Sequence, residues 1–502
     1  MSTLQIRAPY SQQEIDTLYP ENVELKLVQV LLRHGERAPL LPHFQDAGLS
    51  PHWPYCHAAE KMRSIAYTPG DASEWSTLEW RRRLEGFGKD DDRSSNVTEP
   101  NGGTESICQP GELTDRGRET TYALGKRLRH LYVEQLQFMP KLITYGHTFY
   151  LRATPFPRTL ESVQQTFLGM YPSKRRSASF TAPAIVTRSL ADEILFPNQG
   201  SCPRLKELAQ AFTQRTAQKW DNTPKMQYIT NQISKWMPEH SREVTVSGDP
   251  SLISIKDTIN TTLAHGPQTR LPEAFYDPKM LASIDQIVCE EWFDGYNDRE
   301  FRILGIGAQV GDTVDRMTSC IEDSQPIVAG SDHSGSPIGT AAWPNTKFAM
   351  YGCHDITLAA FLASLGAFEN EHWPPYTSHL AIELFQEKSM AQIAESNISQ
   401  RTSNSLIRRP WSEYSESERR KLDGYYVRLR YNDRVMRVPG CAASENHLAQ
   451  DNSFCTLEAF KRIADGFTPR NWKQQCRQNL GDPIASIEGG EKKSAGLIEK
   501  GY

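Results

Sequence analysis

A mixed α/β fold, with a mostly parallel central sheet and an inserted helical cap, is predicted by three observations. Apolar runs at 25–32, 148–153 and 347–352 have strand length, and each ends in a turn rich in histidine or arginine. Helical periodicity fills the interval between the first two and resumes after each later one, the pattern of parallel strands joined by crossover helices. From about 204 to 341 the chain turns helical and polar without clear strands, as an insertion between strands would.

Each element has its own justification. Residues 1–20 are polar and read as a peripheral segment. The run 25–32 is apolar enough to be buried on both faces. Residues 42–110, rich in Pro, Gly, Asp and Ser, read as a long irregular stretch, with Lys89-Asp90-Asp91-Asp92-Arg93 as a solvated loop. Thr114 is placed to N-cap a helix whose first turn carries Asp115. Tyr122, Leu124, Leu128, Leu131 and Tyr132 then give that helix a packing face, as Leu160, Val163, Phe167 and Met170 do for the next. Segments 206–219 and 225–237 suit cap helices. After the strand at 347–352 comes a helix at 356–365, then strands at 379–385 and 424–431. In the last, Tyr425, Val427, Leu429 and Tyr431 alternate with Tyr426, Arg428 and Arg430, a half-buried pattern. The Ser- and Glu-rich insertion at 387–422 reads as a surface excursion. The expected organisation is a peripheral segment at 1–20, a discontinuous α/β core at 21–200 and 342–477, a helical cap at 201–341 and a tail at 478–502.

Composition narrows the function classes. With 502 residues the chain exceeds one ordinary core, and 38% hydrophobic against 23% charged residues describes a soluble globular protein. A net charge of −5 argues against a nucleic-acid partner. No apolar run reaches the length of a membrane span, and the first residues lack the apolar segment of a secretory signal. An intracellular location, cytoplasmic or mitochondrial, is therefore expected, with secretion disfavoured. Nine cysteines, without a CxxC pair, make reduced buried thiols the default expectation, with the redox state of Cys441, Cys455 and Cys476 left open, and a structural zinc site an unexpected one. Oligomeric state is not legible.

The chemistry concentrates where strands end. At the end of the first lies Arg33-His34-Gly35-Glu36-Arg37-Ala38-Pro39. Two guanidiniums flanking an imidazole offer planar forks for phosphoryl oxygens beside a nitrogen that can attack phosphorus. Gly35 would let backbone and ligand approach closely. A second turn, Gly352-Cys353-His354-Asp355, precedes a helix that Asp355 could simply cap. Arg152-Ala153-Thr154 ends a third strand, whereas Arg158 reads as a helix-surface cation. Ligands in open α/β sheets sit beyond the carboxyl ends of strands, so Arg33, His34, Arg37, Arg152, His354 and Asp355 are expected to converge.

Arg-His-Gly-x-Arg-x-Pro, together with the His-Asp pair, resembles the signature of the histidine acid phosphatases, a branch of the histidine phosphatase superfamily. The resemblance implies a phosphoglycerate-mutase-like core, with His34 as nucleophile forming a phosphohistidine. It implies Arg33, Arg37, Arg152 and His354 as phosphate ligands and Asp355 as the acid that protonates the leaving alkoxide. No cofactor or metal is implied, because three arginines can neutralise the dianion. The stretches 27–30, 111–114, 122–128, 196–202, 365–368 and 373–375 look like the lysophosphatidic acid phosphatase branch, which makes a small phosphomonoester, such as a lysophospholipid, the expected partner. A phytase-like enzyme and a catalytically silent structural relative stand as the alternatives.

Overall fold

The computed structural model describes residues 2–67, 75–87, 93–98, 102–323, 346–390, 405–484 and 494–498. Nine strands form one sheet: β1 (Val23–Arg33), β2 (Phe149–Ala153), β3 (Ile185–Val186), β4 (Phe348–Cys353), β5 (His379–Glu387), β6 (Tyr425–Tyr431), β7 (Arg434–Met436), β8 (His447–Leu448) and β9 (Asp451–Thr456). Their order is β8-β9-β6-β5-β1-β4-β2-β3, with β7 paired to β6. The pairings of β1 with β4, β4 with β2, and β2 with β3 are parallel; those of β5 with β1 and of β6 with β5 are antiparallel. All eleven residues of β1 except three near its start are buried, as an apolar run in mid-sheet requires.

The helices that position the site are α1 (Asp115–Arg129), α2 (Pro157–Met170), α3 (Leu252–Ala264), α4 (Pro278–Phe293), α5 (Ala308–Asp323) and α6 (Asp355–Ser364). Thr114 caps α1 as expected, its hydroxyl accepting the Gly117 N–H at 3.3 Å. Leu124, Leu128, Leu131 and Tyr132 are buried, while Tyr122 is exposed. The cap segments fold as Pro203–Trp220 and Pro224–Ile233, followed by α3, α4 and α5. The loop expected at 89–93 lies outside the described residues apart from Arg93, as do 324–345, at the expected cap boundary, and 391–404 in the insertion.

Three expectations are corrected. Residues 42–110 are not wholly irregular: they hold two antiparallel hairpins, Met62–Tyr67 with Trp75–Trp80 and Glu85–Phe87 with Ser94–Asn96. The β6 strand is buried on both faces, because Arg428 and Arg430 turn inward onto Glu383, which is itself fully buried. Burial would raise the Glu383 carboxyl, but the two arginines outweigh it and hold it ionised, with Tyr19 and Tyr132 hydroxyls donating at 2.6 and 2.8 Å. The alternation that suggested a solvated face thus concealed an internal ion cluster.

The thiols are the third correction. Cys56–Cys108, Cys202–Cys476 and Cys441–Cys455 are disulfides, and Cys289, Cys320 and Cys353 keep their thiols. Cα separations of 5.1, 4.7 and 5.2 Å lie within bridging range. Two of the pairs are 52 and 274 residues apart, which is why linear spacing did not reveal them. Such bridges persist in oxidising compartments.

Candidate active site

Three parallel strands end side by side. Arg33 at the end of β1 pairs with Cys353 at the end of β4, and Gly352 pairs with Ala153 at the end of β2. Beyond these ends lies a cleft of about 300 Å³, lined by Arg33, His34, Arg37, Arg158, His354 and Asp355 on the core side. A larger cavity, about 1170 Å³, lies against the start of β1 at the other end of the sheet. Its rim includes Thr346 and Ser405, which adjoin stretches outside the described residues, and it contains none of the signature side chains.

His34 is buried, and its Nδ1 lies 2.8 Å from the Gly35 carbonyl. A carbonyl only accepts, so Nδ1 carries the proton and Nε2 keeps its lone pair. Burial lowers the imidazole pKa well below the usual histidine value, and Arg158, Arg33, Arg37 and His354 reinforce the shift. The protonated ring is therefore disfavoured, which keeps the Nε2 lone pair available. The His354 ring stands 5.6 Å from it at 75°, edge-on to Phe156 and Phe196. Burial and Arg158 push the His354 pKa down to about 3, with Nε2 placed 3.1 Å from the Thr154 hydroxyl.

Asp355 sits in the first turn of α6, and His354, not Asp355, occupies the N-cap position. Its Oδ2 meets Arg33 at 2.8 Å and accepts the Trp373 indole N–H at 3.0 Å; Oδ1 accepts the Ile356 N–H at 2.8 Å. Burial would raise this carboxyl, but Arg33, Trp373 and Ile356 together lower it. Arg33 also donates to the Pro374 carbonyl at 2.5 Å and lies 4.0 Å over the Tyr376 ring.

Five of the six expected residues converge; Arg152 does not. It precedes the end of β2, and its side chain is buried toward α5. There it pairs with Glu193 at 2.6 Å and donates to Gln309 at 3.0 Å. The cleft instead receives Arg158, from the first turn of α2, its guanidinium 4.8 Å over Phe156. Burial and Arg37 push the Arg158 pKa down to about 10, which leaves it charged at acidic and neutral pH. Sequence reasoning placed the third arginine of the cleft at the strand end and read Arg158, six residues later, as a cation on the helix surface or behind the site. The signal was Pro157: proline at N1 starts a helix, and the next residue faces the mouth of the sheet.

Gly35 also serves differently from expectation. A Cβ there would lie 2.3 Å from the Gly117 carbonyl oxygen, and one on Gly117 would lie 2.2 Å from that of Glu36. The close approach is between the signature loop and α1, and it fixes His34 against a helix rather than opening room for ligand. Glu36 is buried beneath the same contact, accepting from Thr3 and Thr120 hydroxyls at 2.6 Å each.

The histidine phosphatase superfamily (branch 2) model matches residues 24–432. A probable acid phosphatase of Schizosaccharomyces pombe is 33% identical, covering 95% of this chain and 98% of its own. Mouse lysophosphatidic acid phosphatase type 6 is 24% identical over 76% of this chain and 79% of its own. Among solved structures, Hafnia alvei phytase in complex with tartrate superposes with a TM-score of 0.51 at 13% identity, covering 91% of this chain and 99% of its own. That last likeness concerns the fold alone.

Proposed function

The chain belongs to the histidine phosphatase superfamily, branch 2, and on that footing we propose that it is an acid phosphatase hydrolysing phosphomonoesters through a phosphohistidine at His34. The observation that carries the proposal is a neutral, buried imidazole with a free Nε2 among Arg33, Arg37 and Arg158. Phosphoryl transfer needs positioning and charge neutralisation above all, and three guanidiniums offer both to the three non-bridging oxygens.

In the first half-reaction the Nε2 lone pair forms the N–P bond as the ester P–O bond breaks. The leaving oxygen takes a proton from Asp355. In the second, water attacks phosphorus, Asp355 accepts its proton, and the N–P bond breaks to free phosphate. Asp355 rests ionised against Arg33. An arriving dianion draws on Arg33 and adds like charge beside the carboxylate, and both effects raise its proton affinity. Asp355 thus takes up a proton from the acidic solvent as substrate binds, passes it to the leaving oxygen, and regains one from the attacking water.

The finer reading is a monoester with an apolar tail. The cleft mouth carries Leu40 and Leu41, 45% and 57% exposed, with Ile253 and Trp292 beside them. The cap-side cation, Lys256, is already paired with Asp285 at 2.5 Å. A polyphosphorylated ring would require additional free cations, whereas an acyl chain requires the apolar lip that is present. The test is turnover of a nitrophenyl phosphate at acidic pH with and without chelator, followed by lysophosphatidic acid and inositol hexakisphosphate in parallel. Expected are chelator-insensitive hydrolysis and a higher kcat/KM for the lysophospholipid; preference for the inositol phosphate would refute the lipid reading.

The two arginines give a sharper expectation. Arg158→Ala should lower kcat/KM by about two to three decades, the effect of losing one donor worth about 2–4 kcal/mol in the transition state. Arg152→Ala should instead cost about 3–5 kcal/mol of stability, because it strips buried Glu193 of its counter-charge and leaves it the Ile194 and Leu195 N–H groups as donors. Thermal melts and steady-state kinetics on both variants separate these outcomes. The reverse pattern would return the phosphate site to Arg152.

A further inference from the structure

One acidic residue of the cleft has no part in the chemistry above. Asp257 projects from α3 of the cap, and both of its oxygens bind Arg37: Oδ1 accepts from Nη2 at 2.7 Å and Oδ2 from Nη1 at 3.1 Å. Nη1 also donates to the Ala38 carbonyl at 3.2 Å. Both terminal nitrogens of Arg37 are therefore engaged before any ligand arrives. Burial would disfavour the Arg37 cation, but the Asp257 carboxylate outweighs it and raises its pKa. The Asp257 side chain is itself 24% exposed and lines the cleft, so it has room to swing away.

We propose that Asp257 is an internal competitor for the phosphoryl site, a cap-borne carboxylate that occupies Arg37 in the empty enzyme, yields it to the substrate and retakes it to expel phosphate. The inference rests on the reading that Arg37 holds a phosphoryl oxygen. A planar carboxylate meets the guanidinium fork with the same two-point geometry a phosphoryl group uses, so the two ligands exclude one another there. A dianion bound at His34 would also face the negative charge of Asp257 at short range, which opposes binding unless the carboxylate moves. Arg33 is held by Asp355 in a similar way, yet Asp355 has a proton to deliver. Asp257 has no such task, and its benefit lies in turnover. Three guanidiniums that bind substrate tightly bind product phosphate tightly as well, and a carboxylate returning to Arg37 speeds its departure. The contact also ties cap to core through one ion pair that substrate must open.

The experiment is competitive inhibition by inorganic phosphate, measured beside KM and kcat for Asp257→Asn. Competition for a shared arginine is a coupling between two ligands, of the size that commonly changes affinity by about 5–150-fold. The expected result is a phosphate Ki lowered about tenfold, with KM falling alongside and kcat not rising. A Ki that is unchanged or raised overturns the proposal and makes Asp257 a clamp that merely orients Arg37. Arg37→Ala serves as the companion: if phosphate affinity is unaffected there, the error lies in placing Arg37 in the site. Should the Asn variant fail to fold by circular dichroism, a crystal structure of the wild-type enzyme with phosphate decides. An Asp257 carboxylate beyond hydrogen-bond distance of Arg37 supports competition, and a retained two-point pair overturns it.

Discussion

His34→Ala is expected to abolish turnover, with a loss of at least about four decades in kcat, or roughly 5.5 kcal/mol of barrier. The loss is expected to be this large because nothing nearby can substitute. Of the two other imidazoles that line the cleft, His43 and His354, the one beside His34 is His354, and its Nε2 lies against Thr154. The free thiol at this strand end, Cys353, is buried and pushed by that burial above its usual pKa, hence protonated and inert. The variant should still fold: the His34 side chain makes a single local hydrogen bond, to the adjacent carbonyl. Phosphate should still bind, since Arg33, Arg37 and Arg158 remain. Kinetics together with a phosphate titration check both halves. A folded variant that retains more than about a hundredth of wild-type activity would remove His34 as nucleophile.

Asp355→Asn should divide substrates by leaving group. An alkyl phosphate such as a lysophosphatidic acid departs as a strongly basic alkoxide, and loss of a general acid is expected to cost it about two to four decades. A nitrophenolate departs unaided, so the aryl ester should lose far less. The bland alternative, that Asp355 only caps α6, has lost its geometry: His354 holds the N-cap position, and Oδ1 of Asp355 accepts the N–H of the very next residue. A capping role would cost about 1 kcal/mol of stability and affect both substrates alike. Side-by-side kcat/KM values on folded variant protein are the check, and equal losses would withdraw the acid assignment.

The parts of this fold legible in the sequence are those governed by local rules. Apolar runs marked β1, β2, β4 and β5 to within a few residues, and Thr114 with Asp115 fixed the start of α1. Signature spacing brought Arg33, His34, Arg37, His354 and Asp355 to adjoining strand ends, because parallel pairing aligns those ends automatically. What stayed hidden depended on partners distant in the chain. Arg152 at a strand end looked like a ligand for phosphate until Glu193 and Gln309 claimed it from 41 and 157 residues away. Arg428 and Arg430 mimicked a solvated face because Glu383, their buried counter-charge, lies on the neighbouring strand. Asp257 could not be placed at all, since nothing in its helix indicates which side of α3 meets Arg37. Two of the three disulfides, Cys56–Cys108 and Cys202–Cys476, were concealed by the same distance.

Phosphate is expected to pass through a covalent bond to His34 Nε2. Rapid acid-free quench of the enzyme with isotopically labelled substrate, followed by proteolysis and mass spectrometry, tests it most directly. Expected is an acid-labile, base-stable phosphoryl group on the peptide carrying Arg33-His34-Gly35, accumulating further in Asp355→Asn with an aryl ester, where water attack lacks its base. Label on a serine or aspartate, or inversion at a chiral phosphorus with no label on the protein, would contradict it.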